Sequence, residues 1–146
     1  MTKVIAFSGV HNTGKTTAIN TLRDFLIQEG KLVMVLQESA RLFHKFLHTD
    51  PMMLQSSCNK MELSRLDYLH SLKSQNIFDY IIVDRTPKDN IAYTKFLQQT
   101  GKLDPDFLSA DTDVCPYDTI VFYTTPIHES LRSEEELLRD ILLETI

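Results

Sequence analysis

Gly9-Val10-His11-Asn12-Thr13-Gly14-Lys15-Thr16 satisfies the spacing G-x-x-x-x-G-K-[ST] without a gap. In such a loop the glycines let the backbone curl, so that successive N–H groups and the N-terminus of the following helix point at phosphates. Lys15 then reaches the β/γ oxygens, and the Thr16 hydroxyl is placed to ligate Mg²⁺. With glycine usage near 7%, a random chain of this length would match on the order of once in a few hundred cases. Two of the four glycines in this chain lie inside the match.

A second set of charged residues follows the other apolar runs. Asp84 closes the run Tyr80–Val83, where a carboxylate beside a phosphate loop would hold Mg²⁺ directly or through water; the competing reading is a strand-end acid without a role. Arg85 follows it, with a guanidinium fork suited to a phosphate or anionic substrate group, or to a salt bridge across the sheet edge. Glu38, in Gln37-Glu38-Ser39-Ala40-Arg41, is predicted to end the second strand. There it could orient or deprotonate a hydroxyl nucleophile, or merely complement a helix dipole. Arg41 divides evenly between a site role and a solvated helix position. Arg132 and Arg139 frame a segment that could close over a triphosphate, although ordinary surface arginines fit equally well.

These residues need strand ends and helix starts to position them. The short apolar runs Lys3–Ser8, Leu32–Leu36, Tyr80–Asp84 and Thr119–Tyr123 are predicted as strands. Helices are predicted from Lys15 to Glu29, closed by Gly30; from Ser39 through Leu47, closed by Pro51; and from Asn59 to Gln75. Another starts at Thr86-Pro87 and ends at Gly101. Asp104-Pro105 suggests a helical turn, and Ser133-Glu134-Glu135-Glu136 a capping box before Leu137, Leu138, Ile141 and Leu142. Alternating strands and helices imply an α/β fold with a parallel sheet covered on both faces, whose ligands bind at the carboxyl ends of the strands.

The chain's 146 residues are expected to form a single domain, 1–146. Fifteen Lys+Arg against twenty Asp+Glu give a net charge of −5, which argues against the nucleic-acid backbone as main partner. Cys58 and Cys115 are isolated, and His11, His44, His48, His70 and His128 make no metal spacing with acids or cysteines. The N-terminal apolar run is too short for a signal peptide or a membrane span, so the protein is expected to be cytoplasmic. The oligomeric state is left open.

Gly9 to Thr16, Glu38-Ser39-Ala40-Arg41 and above all Asp84-Arg85-Thr86-Pro87-Lys88-Asp89-Asn90-Ile91-Ala92-Tyr93 resemble the NadR-like AAA-domain ATPase/kinase family. That is a small-kinase branch of the P-loop proteins, related in layout to thymidylate and deoxynucleoside kinases. The resemblance covers nearly the whole chain and implies a three-layer P-loop NTPase fold. It also implies an ATP and Mg²⁺ site over Gly9–Thr17, comprising Gly9, His11, Asn12, Thr13, Gly14, Lys15, Thr16 and Thr17, with Thr16 and Asp84 toward the metal. Acceptor-side roles for Glu38, Arg41 and Arg85 and a lid around Arg132 follow from it as well. Two departures stand out. The family continues into a further strand beside the fourth, so the last edge strand is expected to be missing here, and the predicted helix before Asp84 lacks a glutamine near the acceptor cleft.

The leading expectation is an ATP-dependent kinase acting on a nucleoside- or nucleotide-like small molecule, with Lys15, Glu38, Asp84, Arg85 and Arg132 carrying catalysis. Its rivals are an ATPase or nucleotide-binding switch working with a protein partner, and a remnant that binds nucleotide without turnover. A GTPase is disfavoured, because Asn59-Lys60-Met61-Glu62 precedes the Asp84 strand and ends in the wrong acid. A motor or helicase is disfavoured by length.

Overall fold

The computed structural model describes residues 1–9, 14–38, 50–108, 116–122 and 139–144. The predicted helix from Ser39 through Leu47, with Arg41, His44 and His48, lies outside these residues. So do His11, Asn12, Thr13, Cys115, Tyr123, His128, Arg132 and the Ser133–Glu136 capping box.

Four strands form one parallel sheet: β1 (Lys3–Ser8), β2 (Val33–Leu36), β3 (Tyr80–Asp84) and β4 (Thr119–Phe122), in the order β2-β3-β1-β4. Side chains alternate between faces with a period of two, and the in-register rows show it. Val4, Ile81 and Met34 stand in one row and Ala6, Val83 and Leu36 in another; both rows pack with Leu69 and Leu72 of helix α2 (Pro51–Gln75). On the opposite face, Ile5, Ile82 and Val35 pack with Ile19 and Leu26 of helix α1 (Lys15–Gln28). Strands buried on both faces explain why β1 and β3 read as continuous apolar runs. A third cluster joins Ala92, Phe96 and Leu97 of helix α3 (Pro87–Gln99) to Leu103 and to Ile141 and Leu142 of a helical segment over 139–144.

One helix boundary departs from expectation. Pro51 opens a helix instead of closing one: it stands at the first helical position of α2, with the Asp50 side chain accepting from the Met52 N–H at 3.1 Å. Proline lacks only an N–H that a helix start leaves unbonded, so Asp-Pro is a start signal, and α2 begins eight residues before Asn59. The turn expected at Asp104-Pro105 is present, closed by the Phe107 N–H donating to the Asp104 carbonyl at 3.1 Å, with the Asp104 side chain accepting from the Asp106 N–H. Thr86 caps α3 as expected, in a reciprocal capping box with Asp89.

Candidate functional site

The carboxyl ends of β1 and β3 lie side by side, with Phe7 opposite Asp84. Gly14, at φ 84, caps α1 in the left-handed region where a side chain would be strained, and Lys15 is the first residue of that helix. The Lys15 Nζ donates to Asp84 Oδ1 in an ion pair between two buried residues, 6% and 3% exposed. The start of α1 meets the end of the sheet, and the Lys15 side chain is enclosed there. Burial lowers the Lys15 pKa from its ordinary value and the nearby Arg85 charge lowers it further, against the opposing pull of Asp84 and Glu38. Thr16 and Thr17 follow on the exposed side of α1.

Arg85, immediately after β3, adopts φ 70. For a residue with a Cβ this left-handed conformation costs ~1–2 kcal/mol and persists only where neighbours impose it. Its N–H donates to the Phe7 carbonyl at 2.7 Å, and its Nε lies 2.6 Å from Glu38 Oε2. Glu38 stands two residues beyond the end of β2 rather than within it, and is buried at 8% exposure. The salt bridge weighed for Arg85 is therefore formed, and it joins the two residues assigned to the acceptor side. Lys15, Asp84, Glu38 and Arg85 thus form one cluster of two buried ion pairs. Arg139, by contrast, lies on the surface beside Asp140, well apart in role from Ile141 and Leu142 of the core.

Two further residues, Asp89 and Arg65, brace the backbone that carries this cluster. The buried Asp89 carboxylate accepts from the Ser8 hydroxyl at 2.9 Å, the Gly9 N–H at 3.2 Å and the Thr86 N–H at 2.9 Å, tying the end of β1 to the start of α3. Thr86 three residues before an acid was the available signal, since that is capping-box spacing. Arg65 of α2 donates to the Asp84 carbonyl at 2.8 Å and to Glu62 Oε1 at 2.7 Å. Only its i, i+3 spacing from Glu62 was visible in the sequence. Gln55 belongs to α2 because the helix starts at Pro51; its buried amide donates to the Thr94 hydroxyl at 2.8 Å. The earlier start of the helix before Asp84 thus adds Gln55 to it, on the side facing α3. Cys58, one helical turn after Gln55, is buried, and burial with the Glu62 charge pushes its thiol up to about 11.

Among the described residues no group of three or more His, Cys, Asp or Glu side chains could hold a metal ion. Mg²⁺ in a nucleotide site needs no such cage, since one or two protein oxygens, phosphate oxygens and water complete its shell. Buried Asp84 and the Thr16 hydroxyl are oxygen donors of that kind, and Lys15 supplies the cation that a polyphosphate requires. This donor set fits a magnesium nucleotide. No helix among the described residues is long and apolar enough to cross a membrane.

A search of curated proteins returns no match. Thymidylate kinase from Ehrlichia chaffeensis shares the fold, with a TM-score of 0.68 at 17% identity over 98% of this chain and 85% of that one. Thymidylate kinase from Candida albicans superposes with a TM-score of 0.63 at 16% identity over 99% of this chain and 77% of the other. The fold is accordingly the α/β P-loop kinase-like one, with a parallel sheet between helices. A family model described as an AAA domain matches residues 4–141, and the chain belongs to that AAA-domain family.

Proposed function

We propose that the chain is an ATP-dependent small-molecule kinase that transfers the γ-phosphoryl group of ATP to a nucleoside- or nucleotide-like acceptor. The observation that carries this reading is the adjacency of the Lys15–Asp84 and Glu38–Arg85 ion pairs at one end of the sheet. The first pair has the chemistry of a phosphate donor site and the second that of an acceptor site. Phosphoryl transfer asks chiefly that the two be held together and the moving charge neutralised.

In this reading the loop from Gly9 through His11, Asn12, Thr13 and Gly14 to Thr17 wraps the phosphates and Lys15 turns from Asp84 to the β/γ oxygens. Asp84 and Thr16 would hold Mg²⁺, which would supply neutralisation of phosphate charge there. Glu38 accepts the proton of an acceptor hydroxyl, and Arg85, paired with that carboxylate, aims it. Arg132 belongs to the segment that closes over the triphosphate. A nucleotide-driven switch would need the first ion pair alone. The second, buried beside it, favours a kinase, and likeness in fold to thymidylate kinases supports a nucleotide-like acceptor.

The test is a screen of ADP release over nucleosides, nucleotides and nicotinamide riboside. A kinase gives ADP release that depends on one small acceptor. ADP release that is indifferent to every acceptor but stimulated by a protein would replace this reading with the switch.

A further inference from the structure

The β1–β3 ladder closes with the Arg85 N–H donating to the Phe7 carbonyl. Along a strand the N–H and C=O groups reach the same edge at every second residue, so the next donor on that edge of β1 is the Gly9 N–H. Its partner in a continued parallel ladder is the Arg85 carbonyl, but Arg85, at φ 70, turns the chain out of β3 toward α3. The Asp89 carboxylate, in the first turn of α3, takes the Gly9 N–H instead, Oδ1 accepting at 3.2 Å. A side chain thus stands in for a rung of the sheet.

The two oxygens of this carboxylate serve different segments. Oδ1 accepts from the Gly9 N–H, while Oδ2 accepts from the Thr86 N–H at 2.9 Å and the Thr86 hydroxyl at 3.1 Å. The Ser8 hydroxyl donates to both oxygens, at 3.0 and 2.9 Å. Ser8, Gly9, Thr86 and Asp89 are all buried, so water does not replace these bonds. A hydroxyl can rotate and accept, but a backbone N–H only donates. Two backbone donors on two oxygens therefore need two acceptors. Asparagine has one, and would set its NH₂ group against one of the two N–H groups. A capping box asks for a single acceptor at this position. The second oxygen serves Gly9, not the helix.

We propose that Asp89 is a positioning residue for the phosphate donor: its carboxylate clamps the first glycine of the phosphate loop to α3 and so fixes the end of the loop that β1 delivers. Gly14, at the other end, caps α1. The functional consequence rests on the nucleotide-site reading, while the clamp itself does not. Asp89 touches no phosphate. Its effect is to order the Gly9 end before ATP arrives; without the clamp, nucleotide binding must supply that ordering, and the loss falls on ATP affinity.

The experiment uses the full chain as wild type, Asp89→Asn and Thr86→Ala. Thr86→Ala deletes the hydroxyl that accepts from the Lys88 N–H, and leaves both backbone N–H groups bonded to Asp89. Each protein is measured for hydrogen exchange at the Gly9 amide by NMR, for ATP affinity by calorimetry and for Tm. Both variants are expected to lower Tm, since each disturbs the cap of α3. In Asp89→Asn the Gly9 amide should exchange at least about 10-fold faster and the ATP Kd should rise on the order of 10-fold. In Thr86→Ala both should stay within about twofold of wild type, because the clamp is intact. Wild-type exchange at Gly9 or wild-type ATP affinity in Asp89→Asn would overturn the proposal. So would an equal loss of ATP affinity in Thr86→Ala, which would trace the effect to the cap, or a Gly9 amide already unprotected in the wild type. If Asp89→Asn fails to fold, Asp89→Gln, a residue that capping boxes accept at this position, is read by the same outcomes. If the wild type binds no ATP, it is the nucleotide-site reading that fails, and exchange at Gly9 decides the clamp by itself.

Discussion

Replacing Lys15 with methionine keeps the length of the side chain and deletes its charge, so it isolates the ion pair from the packing. What remains is the carboxylate of Asp84, 3% exposed, without the ammonium that donates to it. Removing one partner of a buried pair costs ~3–5 kcal/mol, chiefly the penalty of an uncompensated buried charge. Arg85 stays close enough to push down the Lys15 pKa, so it also partly offsets the stranded carboxylate, and the lower end, about 3 kcal/mol, applies. In a chain of this size that is a fall in Tm of about 10 °C, within the ~5–15 kcal/mol by which a domain is stable. Lys15→Met/Asp84→Asn removes both charges and should return to within ~1 kcal/mol of wild type, because two neutral side chains of similar volume carry no charge penalty. Asp84→Asn alone leaves a buried lysine without the carboxylate that raises its pKa. A folded pKa below 10.5 means that the unfolded chain binds more protons, so the stability of this variant should rise with pH up to that value. Urea and thermal unfolding of the four proteins at several pH values measure all of this. Calorimetry with ATP checks function, since neither Lys15 variant should be stabilised by nucleotide. Lys15→Met as stable as wild type, or no less stable than the double variant, would refute the reasoning.

Glu38→Gln should spare ATP binding and lower kcat by roughly 10²–10⁴-fold if a hydroxyl is phosphorylated; if the acceptor is a phosphate, its KM should rise more than kcat falls. Steady-state kinetics at saturating acceptor separates the two, and wild-type values for both would remove Glu38 from the site. Asp89→Ala strands buried donors on Ser8, Gly9 and Thr86 and should both lower Tm and weaken ATP binding, with Asp89→Asn in between; unchanged ATP affinity in Asp89→Ala would confine this residue to capping α3. Cys58, with its thiol pushed from 9.0 to about 11, should be alkylated by iodoacetamide at pH 8 roughly a hundredfold more slowly in the folded chain than in urea, as read by peptide mass spectrometry.

How much of this was legible in the sequence depended on the range of the signal. Strand β3 and the start of α3 were readable because Tyr80–Asp84 is a continuous apolar run ending in an acid, and Thr86-Pro87 is a local capping signal. The phosphate-loop spacing is equally local. Pro51 misled because proline both ends and begins helices, and only the preceding Asp50 decides between them. That one boundary also hid Gln55, which is unremarkable in a loop but, on α2, is turned toward Thr94 of α3. Arg65 could not be found from spacing. What it holds is a backbone carbonyl nineteen residues away, and carbonyls have no sequence signature.

The sequence offered the charges of the site one at a time, as a lysine, two acids and an arginine, with a strand-end acid, a helix-dipole acid and a sheet-edge salt bridge as the competing readings of Asp84, Glu38 and Arg85. Burial changes that weighing. A charge removed from water must be matched, and here each is matched by another member of the same set: Lys15 by Asp84, Arg85 by Glu38, and behind them Arg65 by Glu62. The reading of Asp84 as an exposed strand-end acid therefore fails, while the salt bridge weighed for Arg85 is present, formed with Glu38. On the kinase reading the matching also has a use. Asp84 would hold Mg²⁺ in place of Lys15, and Lys15 would then be matched by phosphate, so that each charge of the pair would keep an opposite one. Glu38 and Arg85 face no such exchange with a neutral hydroxyl, whereas a phosphate acceptor would have to compete with Glu38 for the guanidinium. The pairing itself thus favours a hydroxyl as the acceptor group.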